Sequence, residues 1–185
     1  MTNTTAGHLG WAVVLLALLT AGGASAGFSS SVPVSAELAT SMARSMFPQA
    51  FKLGQVNLFL SEPAVLFPDA SRVMVRMRVQ AYDHRPEQGV ALSEEGTAVL
   101  SGRPGFDPAT RQVLLFEPRL NEMQFDHDNA FTRAVRQGVE REWRARVSDP
   151  VRTELPPHPY IQPFRSGIRD IRYGQEGLVI QLGYE

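Results

Sequence analysis

The strongest constraint on the fold is a run of alternating apolar and polar side chains at residues 73–82. Every odd-numbered position in this run is apolar, whereas Arg76, Arg78 and Gln80 occupy even-numbered positions. Successive side chains of a β-strand point to opposite faces of the sheet. The run therefore predicts a strand with one buried and one solvent-facing side, which is typical of an antiparallel sheet.

Other patterns predict helices and further strands. A short helix is predicted at residues 35–46, where Ser35 is a candidate N-cap and apolar residues recur every four positions. A longer helix is predicted at residues 128–147, with an apolar stripe and a charged opposite face. The other predicted strands are residues 56–61, 96–101, 112–120, 168–173 and 178–184. Loops are predicted at residues 83–89 and 102–105. The fold class is therefore α+β with an antiparallel sheet.

The N-terminal segment predicts export. Residues 9–21 are apolar, and Ala24-Ser25-Ala26 follows as an A-x-A cleavage site, although no Lys or Arg precedes the apolar run. The run of about 13 residues is shorter than the roughly 20 needed to span a membrane. We expect residues 1–26 to be a secretory signal peptide and residues 27–34 a flexible lead-in. Residues 35–185 then form a single domain without a stable transmembrane segment. The alternative for the apolar run is a buried helix.

Charge and cysteine content exclude several classes of function. The chain has 18 Lys+Arg and 19 Asp+Glu, a formal charge of -1, so there is no net basic field and nucleic acid is not an expected partner. The absence of Cys excludes a disulfide framework, a thiolate nucleophile, Cys-ligated zinc and an acylated cysteine. With 43% hydrophobic residues, the composition is that of an ordinary globular domain.

One cluster of titratable side chains, Asp126-His127-Asp128, has residue types that can ligate a metal or orient an imidazole. It lies where the longer helix is predicted to begin, and acidic side chains interact favourably with a helix N-terminus. Capping is therefore favoured over metal binding. Neither a cofactor nor a metal is predicted, and a hydrolase built on this cluster is the least favoured function.

The remaining chemistry-bearing residues give no catalytic signature. Glu94 and Glu95 are neighbours on a predicted strand and point to opposite faces, so they cannot share a substrate. His84 and His158 lie in predicted loops without a nearby ligand partner in sequence. The chain also lacks nucleophile-elbow, phosphate-loop, zinc-protease and dinucleotide-binding motifs. The sequence thus predicts a protein that is not an enzyme.

The order and spacing of these elements resemble the YceB-like family of bacterial envelope lipoproteins. The resemblance extends over about residues 33–184 and rests on patterns of apolar residues and turns rather than on a catalytic motif. The segments that carry it are residues 35–46, 72–82, 105–107, 113–116, 159–161, 171–173 and 177–180.

This resemblance implies a fold related to the tubular lipid-binding domains of the bactericidal/permeability-increasing type. In such a fold a long, curved antiparallel sheet packs against one long and one short helix and leaves an apolar groove. The chain departs from the family at the leader, where Ala24-Ser25-Ala26-Gly27 replaces the usual lipobox cysteine. A soluble periplasmic or secreted protein is therefore expected instead of a lipoprotein.

The expected function is a non-catalytic periplasmic binding module that holds a lipid or another elongated apolar ligand. Its methionine and phenylalanine side chains provide adaptable apolar surface, although core packing is the commoner fate of such residues. The candidate groove residues are Met42, Met46, Leu58, Leu60, Val75, Met77, Phe131 and Val135. The alternative is an envelope interaction module that presents an edge strand, or the Pro-rich residues 156–164, to a protein partner.

Overall fold

A computed structural model describes residues 30–85, 90–154, 164–174 and 177–183. In chain order, the elements are β1 (Ser30–Val34), α1 (Ala36–Arg44), β2 (Gln49–Leu53), β3 (Val56–Leu66), β4 (Val73–Arg85), β5 (Val90–Asp107), β6 (Gln112–Phe125), α2 (Ala130–Arg146), β7 (Val151–Glu154), β8 (Ile168–Tyr173) and β9 (Leu178–Leu182).

The largest structure is a six-stranded antiparallel sheet in which β2 to β7 follow one another in sequence order. It curls into a half-barrel, and with α1 and α2 it confirms the predicted α+β class. The long hairpin of β4 and β5 is its centre, paired from Val73 opposite Gly102 to Arg85 opposite Val90. The predicted loop at residues 83–89 therefore begins later, because β4 continues to Arg85.

The alternation in β4 has the predicted consequence. The side chains at its odd-numbered positions between Val73 and Ala81 are buried, whereas Arg76 and Arg78 are exposed. The half-barrel thus has an apolar inner face and a polar outer face. In the described part of the chain, no helix is long and apolar enough to cross a membrane.

A smaller sheet has the strand order β1-β9-β8. Its first strand shows that one prediction, for the N-terminal lead-in, was wrong. The lead-in at residues 27–34 was expected to be flexible, but Ser30–Val34 form β1, paired with β9. Val32 lies opposite Ile180, and Val34 is 1% exposed opposite Leu178. These two valines make the pairing favourable by burying apolar surface, whereas the preceding serines indicated only a loop.

Three further corrections concern strand boundaries. The predicted Gly/Pro turn at residues 102–105 lies inside β5. The register shifts between Ser101 and Arg103, so Gly102 marks a bulge and not a chain reversal. The predicted strand at residues 56–61 is also too short, because β3 continues through Pro63 to Leu66 with a register shift between Ser61 and Ala64. The short strands β2 and β7 were not predicted, because four or five residues give too little periodicity.

Both helices begin at side-chain caps. The Ser35 Oγ accepts a hydrogen bond from the Leu38 amide at 3.2 Å, as predicted for α1. At α2 the N-cap is Asn129, whose side-chain oxygen accepts from the Thr132 amide at 2.9 Å. The Thr132 hydroxyl in turn accepts from the Asn129 amide at 3.0 Å, which completes a capping box.

Candidate functional site

The inner face of the half-barrel is covered by α2. The helix directs Val135, Gly138 and Val139 into the core and contacts the sheet mainly at β6 and β2. At Gly138 a Cβ atom would lie 2.9 Å from a methyl carbon of Leu53 on β2. Glycine at this position therefore permits the close approach of α2 to the sheet.

Between the inner face and α2 lies a cavity of about 10 Å³. That volume is no larger than a single water molecule needs, so the inner face is closed in this structure. All of the side chains that line the cavity are apolar: Phe51, Leu58, Leu60, Met77, Val79, Ala98, Leu100, Leu120, Met123 and Val139.

The eight candidate groove residues separate into two groups. Leu58, Leu60 and Met77 line the cavity, and Val75 and Val135 are buried in the same core. The other three, which are Met42, Met46 and Phe131, are partly buried at the margin of the core. The structure thus brings the set together as core side chains, and the expected groove is not open among the residues that the structure describes.

Several cavity residues were not among the eight candidate groove residues. Val79 continues the alternation of β4, and Ala98 and Leu100 continue that of β5. Leu120 and Met123 lie on β6, where the register shift between Val99 and Leu100 interrupts the alternation. Periodicity could have identified the residues on β4 and β5, but only the register identifies those on β6.

A cleft of about 230 Å³ lies beside the cavity, between α2 and β6. Leu120 and Met123 line both spaces, so two flexible apolar side chains are shared by the closed interior and the solvent-facing cleft. The rest of the cleft wall comprises Asn121, Glu122, Arg136, Glu140, Trp143 and Arg144.

The charged groups of the cleft are engaged to different extents. A guanidinium nitrogen of Arg144 lies 3.2 Å from a carboxylate oxygen of Glu140, one helical turn away. Arg136, which is also four residues from Glu140, does not pair with it among the described residues. Arg136 instead lies 3.8 Å from a carboxylate oxygen of Asp128, which is too long for a hydrogen bond.

The Asp126-His127-Asp128 cluster fastens the start of α2 to the sheet. The His127 Nδ1 lies 3.0 Å from a carboxylate oxygen of Glu94, and the Asn129 side-chain amide donates to the other oxygen at 2.7 Å. Asp128 pairs with Arg133 at 3.4 Å. Within the described residues, no group of three or more His, Cys, Asp or Glu side chains could hold a metal ion.

The remaining candidates lie partly outside the described residues. The backbone of His84 belongs to β4 but its side chain is not described, and His158 lies in the undescribed range 155–163. That range also contains most of the Pro-rich segment. Glu94 and Glu95 point apart as predicted: Glu94 contacts the start of α2, whereas Glu95 pairs with Arg78.

Comparison with known proteins identifies no family. No family model matches the chain, and no curated protein matches it. Function must therefore be inferred from the inner face, α2 and the cleft.

Proposed function

We propose that this protein is a non-catalytic binding module of the bacterial envelope that holds a lipid or another elongated apolar ligand between the half-barrel and α2. The observation that supports this most directly is the inner face, whose cavity lining is entirely apolar and extends over several strands. A helix covers this face from one side, and a cleft reaches the shared side chains Leu120 and Met123.

Binding requires α2 to move, because about 10 Å³ cannot accommodate an acyl chain. The strands are joined by ladders of backbone hydrogen bonds, whereas α2 is held on the sheet by side-chain packing and by the polar contacts at its first turn. The helix therefore separates from the sheet at a lower free-energy cost than a strand does. When an acyl chain replaces the apolar contacts of α2, each methylene group that it buries contributes about 0.8 kcal/mol to the free energy of binding.

The envelope location is part of the same proposal. It is supported by the predicted signal peptide at residues 1–26 and by the resemblance to the YceB-like family. The absence of Cys favours a soluble periplasmic or secreted form over an acylated one. Cell fractionation with N-terminal sequencing tests this: processing after Ala26 and recovery with periplasmic or secreted proteins is the expected result, whereas recovery in the cytosol of an unprocessed chain contradicts it.

Native mass spectrometry tests the binding function. The protein is purified from a bacterial envelope without detergent, and its mass is compared before and after extraction with organic solvent. We expect a stoichiometric adduct that the solvent removes and that is identified as a lipid. Delipidated protein should then bind a fluorescent fatty acid saturably. A bare protein mass together with no saturable uptake contradicts the proposal.

The interaction-module alternative receives less support from the geometry. Residues 116–125 of β6 extend beyond the partner strand β7 and present an edge. The register of this segment is broken twice where it pairs with β5, between Val99 and Leu100 and between Ser101 and Arg103. Such bulges are a common means of protecting an edge from pairing with another chain.

A further inference from the structure

The cleft between α2 and β6 suggests a more specific ligand. This inference rests on the proposed function, because it concerns the polar end of a ligand whose apolar end lies on the inner face. The cleft and the cavity share Leu120 and Met123. The lining of the cavity is entirely apolar, whereas the lining of the cleft includes four charged residues. A molecule that extends from one space into the other must therefore be amphipathic.

The charges of the cleft indicate the chemistry of the polar end. Arg144 and Glu140 are matched to each other at 3.2 Å. Arg136 remains available as a hydrogen-bond donor, because its ion-pair distance to Asp128 is 3.8 Å and its side chain is 38% exposed. Glu122 is exposed, and its carboxylate takes part in none of the ion pairs or side-chain hydrogen bonds of the described residues. Arg136, which among the described residues is held only by the long ion pair with Asp128, and the Glu122 carboxylate can therefore both contact a ligand.

We propose that the cleft binds the headgroup of a zwitterionic phospholipid. The Arg136 guanidinium contacts the phosphate, for which its planar donors are well suited, and the Glu122 carboxylate contacts the ammonium group. Trp143 lies between the charged wall and the apolar core, a position in which an indole ring packs against the glycerol and the first methylene groups. The acyl chains then enter past Leu120 and Met123.

Two variants separate the two charge contacts. Delipidated full-length protein, the Arg136→Gln variant and the Glu122→Gln variant are titrated with lysophosphatidylethanolamine, with lysophosphatidylglycerol and with a fatty acid of the same chain length, each below its critical micelle concentration. Arg136→Gln should weaken binding of all three about three- to tenfold, since each has an oxyanion. Glu122→Gln should weaken binding of the ethanolamine lipid alone and should leave the fatty acid unchanged or more tightly bound.

The matched control is Arg146→Gln, which removes the same charge from α2 at an arginine that pairs with Glu142. It should bind all three ligands like the unmodified protein. Circular dichroism melts establish that each variant is folded. Because Arg136 and Glu122 are both surface residues, these substitutions should leave the melting temperature nearly unchanged.

The outcomes distinguish the headgroup proposal from the proposed function. If the three ligands bind with equal affinity and both variants behave like Arg146→Gln, the headgroup proposal is wrong while lipid binding stands. If Arg136→Gln alone has an effect and the fatty acid binds best, the cleft recognises a carboxylate and the zwitterionic assignment is wrong. If the unmodified protein binds none of the three and also fails to take up an uncharged probe such as a long-chain alcohol, the proposed function itself is wrong.

Discussion

At the scale of single residues, the hydroxyl group of Tyr173 is the clearest exception to good packing. Its oxygen is buried and has no hydrogen-bond partner among the described residues. Burial, assisted by the negative charge of Asp69, raises the pKa of Tyr173 well above its usual value of about 10. The ring itself is well placed, because it meets Phe67 edge to face with 6.2 Å between the ring centroids.

We expect Tyr173→Phe to stabilise the protein by about 1 kcal/mol at pH 7, because the substitution keeps the ring contact and removes an unsatisfied polar group. The variant should also change the response to alkali. The raised pKa keeps the phenol protonated in the folded chain after the unfolded chain has ionised, so the unmodified protein loses stability as the pH rises above about 10. Urea unfolding between pH 7 and 11 measures both effects.

Tyr173→Phe should lack this part of the alkaline loss, so its advantage should grow with pH. An advantage that stays constant from pH 7 to 11 would contradict the buried phenol as its cause. A loss of stability at pH 7 would show instead that the hydroxyl group has a stabilising partner.

A second residue prediction concerns Gly96 on β5, which lies against the backbone of β6. A Cβ atom there would lie 2.0 Å from the backbone oxygen of Gln124, which cannot move without breaking the pairing of the two strands. At Gly105 on the same strand, the nearest atom is the end of the Phe116 ring at 2.8 Å, which can rotate away. Gly96→Ala should therefore cost several-fold more unfolding free energy than Gly105→Ala, about 3 kcal/mol against about 1 kcal/mol.

Chemical denaturation of the two glycine variants makes this comparison directly. Equal losses of unfolding free energy would show that β5 and β6 can separate locally at Gly96. Both variants replace glycine with alanine on β5. The effect of this replacement on the unfolded chain is therefore similar in the two variants and largely cancels in the comparison.

At the scale of elements, the sequence predicts those with long periodicity and fails where pairing is decided by distant residues. The alternation of β4 and the apolar stripe of α2 each specify a buried face, and both buried faces are observed. The short strand β1 forms by pairing with β9, and β7 forms by pairing with β6. The local sequence of a short strand does not indicate which distant strand it pairs with. Glycine and proline at residues 102–105 indicate a turn locally, but pairing with β6 keeps them within β5, with a bulge at Gly102.

The start of α2 allows an element-scale prediction. Asn129 caps the helix, and its side-chain amide donates to Glu94 at 2.7 Å. This residue therefore joins the N-terminal end of α2 to the sheet. Asn129→Ala should lower the unfolding free energy by about 1 to 2 kcal/mol. Hydrogen exchange should become faster in α2 than in β4.

Ser35→Ala is the matched control, because it removes a single cap contact from α1 and leaves α2 unchanged. It should lower stability by up to about 1 kcal/mol without selectively increasing exchange in α2. If Asn129→Ala changes exchange equally in both helices, α2 does not open independently of the remaining fold.

At the scale of the whole molecule, the inner face serves both as the core and as the proposed binding surface. The sequence indicated which side chains are apolar and inward, and most of the predicted set is indeed buried. It could not indicate that α2 closes the face, since that depends on the fit of Gly138 against Leu53, two residues from distant parts of the chain. Nor could it reveal the cleft, which exists only because α2 lies beside β6.

This double role leads to a prediction that compares two equally buried side chains. Met77 lines the cavity under α2, whereas Leu178 lies in the smaller sheet, and each is 1% exposed. Met77→Ala and Leu178→Ala should each lower the unfolding free energy by about 2 to 5 kcal/mol, because each leaves a void in a packed core. Only Met77→Ala enlarges the space on the inner face, so only this variant should change the affinity for a fluorescent fatty acid.

The direction of the affinity change follows from the closed cavity. In the unmodified protein an acyl chain must displace packed side chains, and with alanine at position 77 part of that space is already vacant. Met77→Ala should therefore bind the probe more tightly, and saturating probe should restore part of its lost thermal stability. Leu178→Ala should be destabilised without any change in probe affinity beyond its unfolded fraction. If the two variants lose stability alike and bind the probe alike, residue 77 is core alone and the ligand does not lie on the inner face at this position.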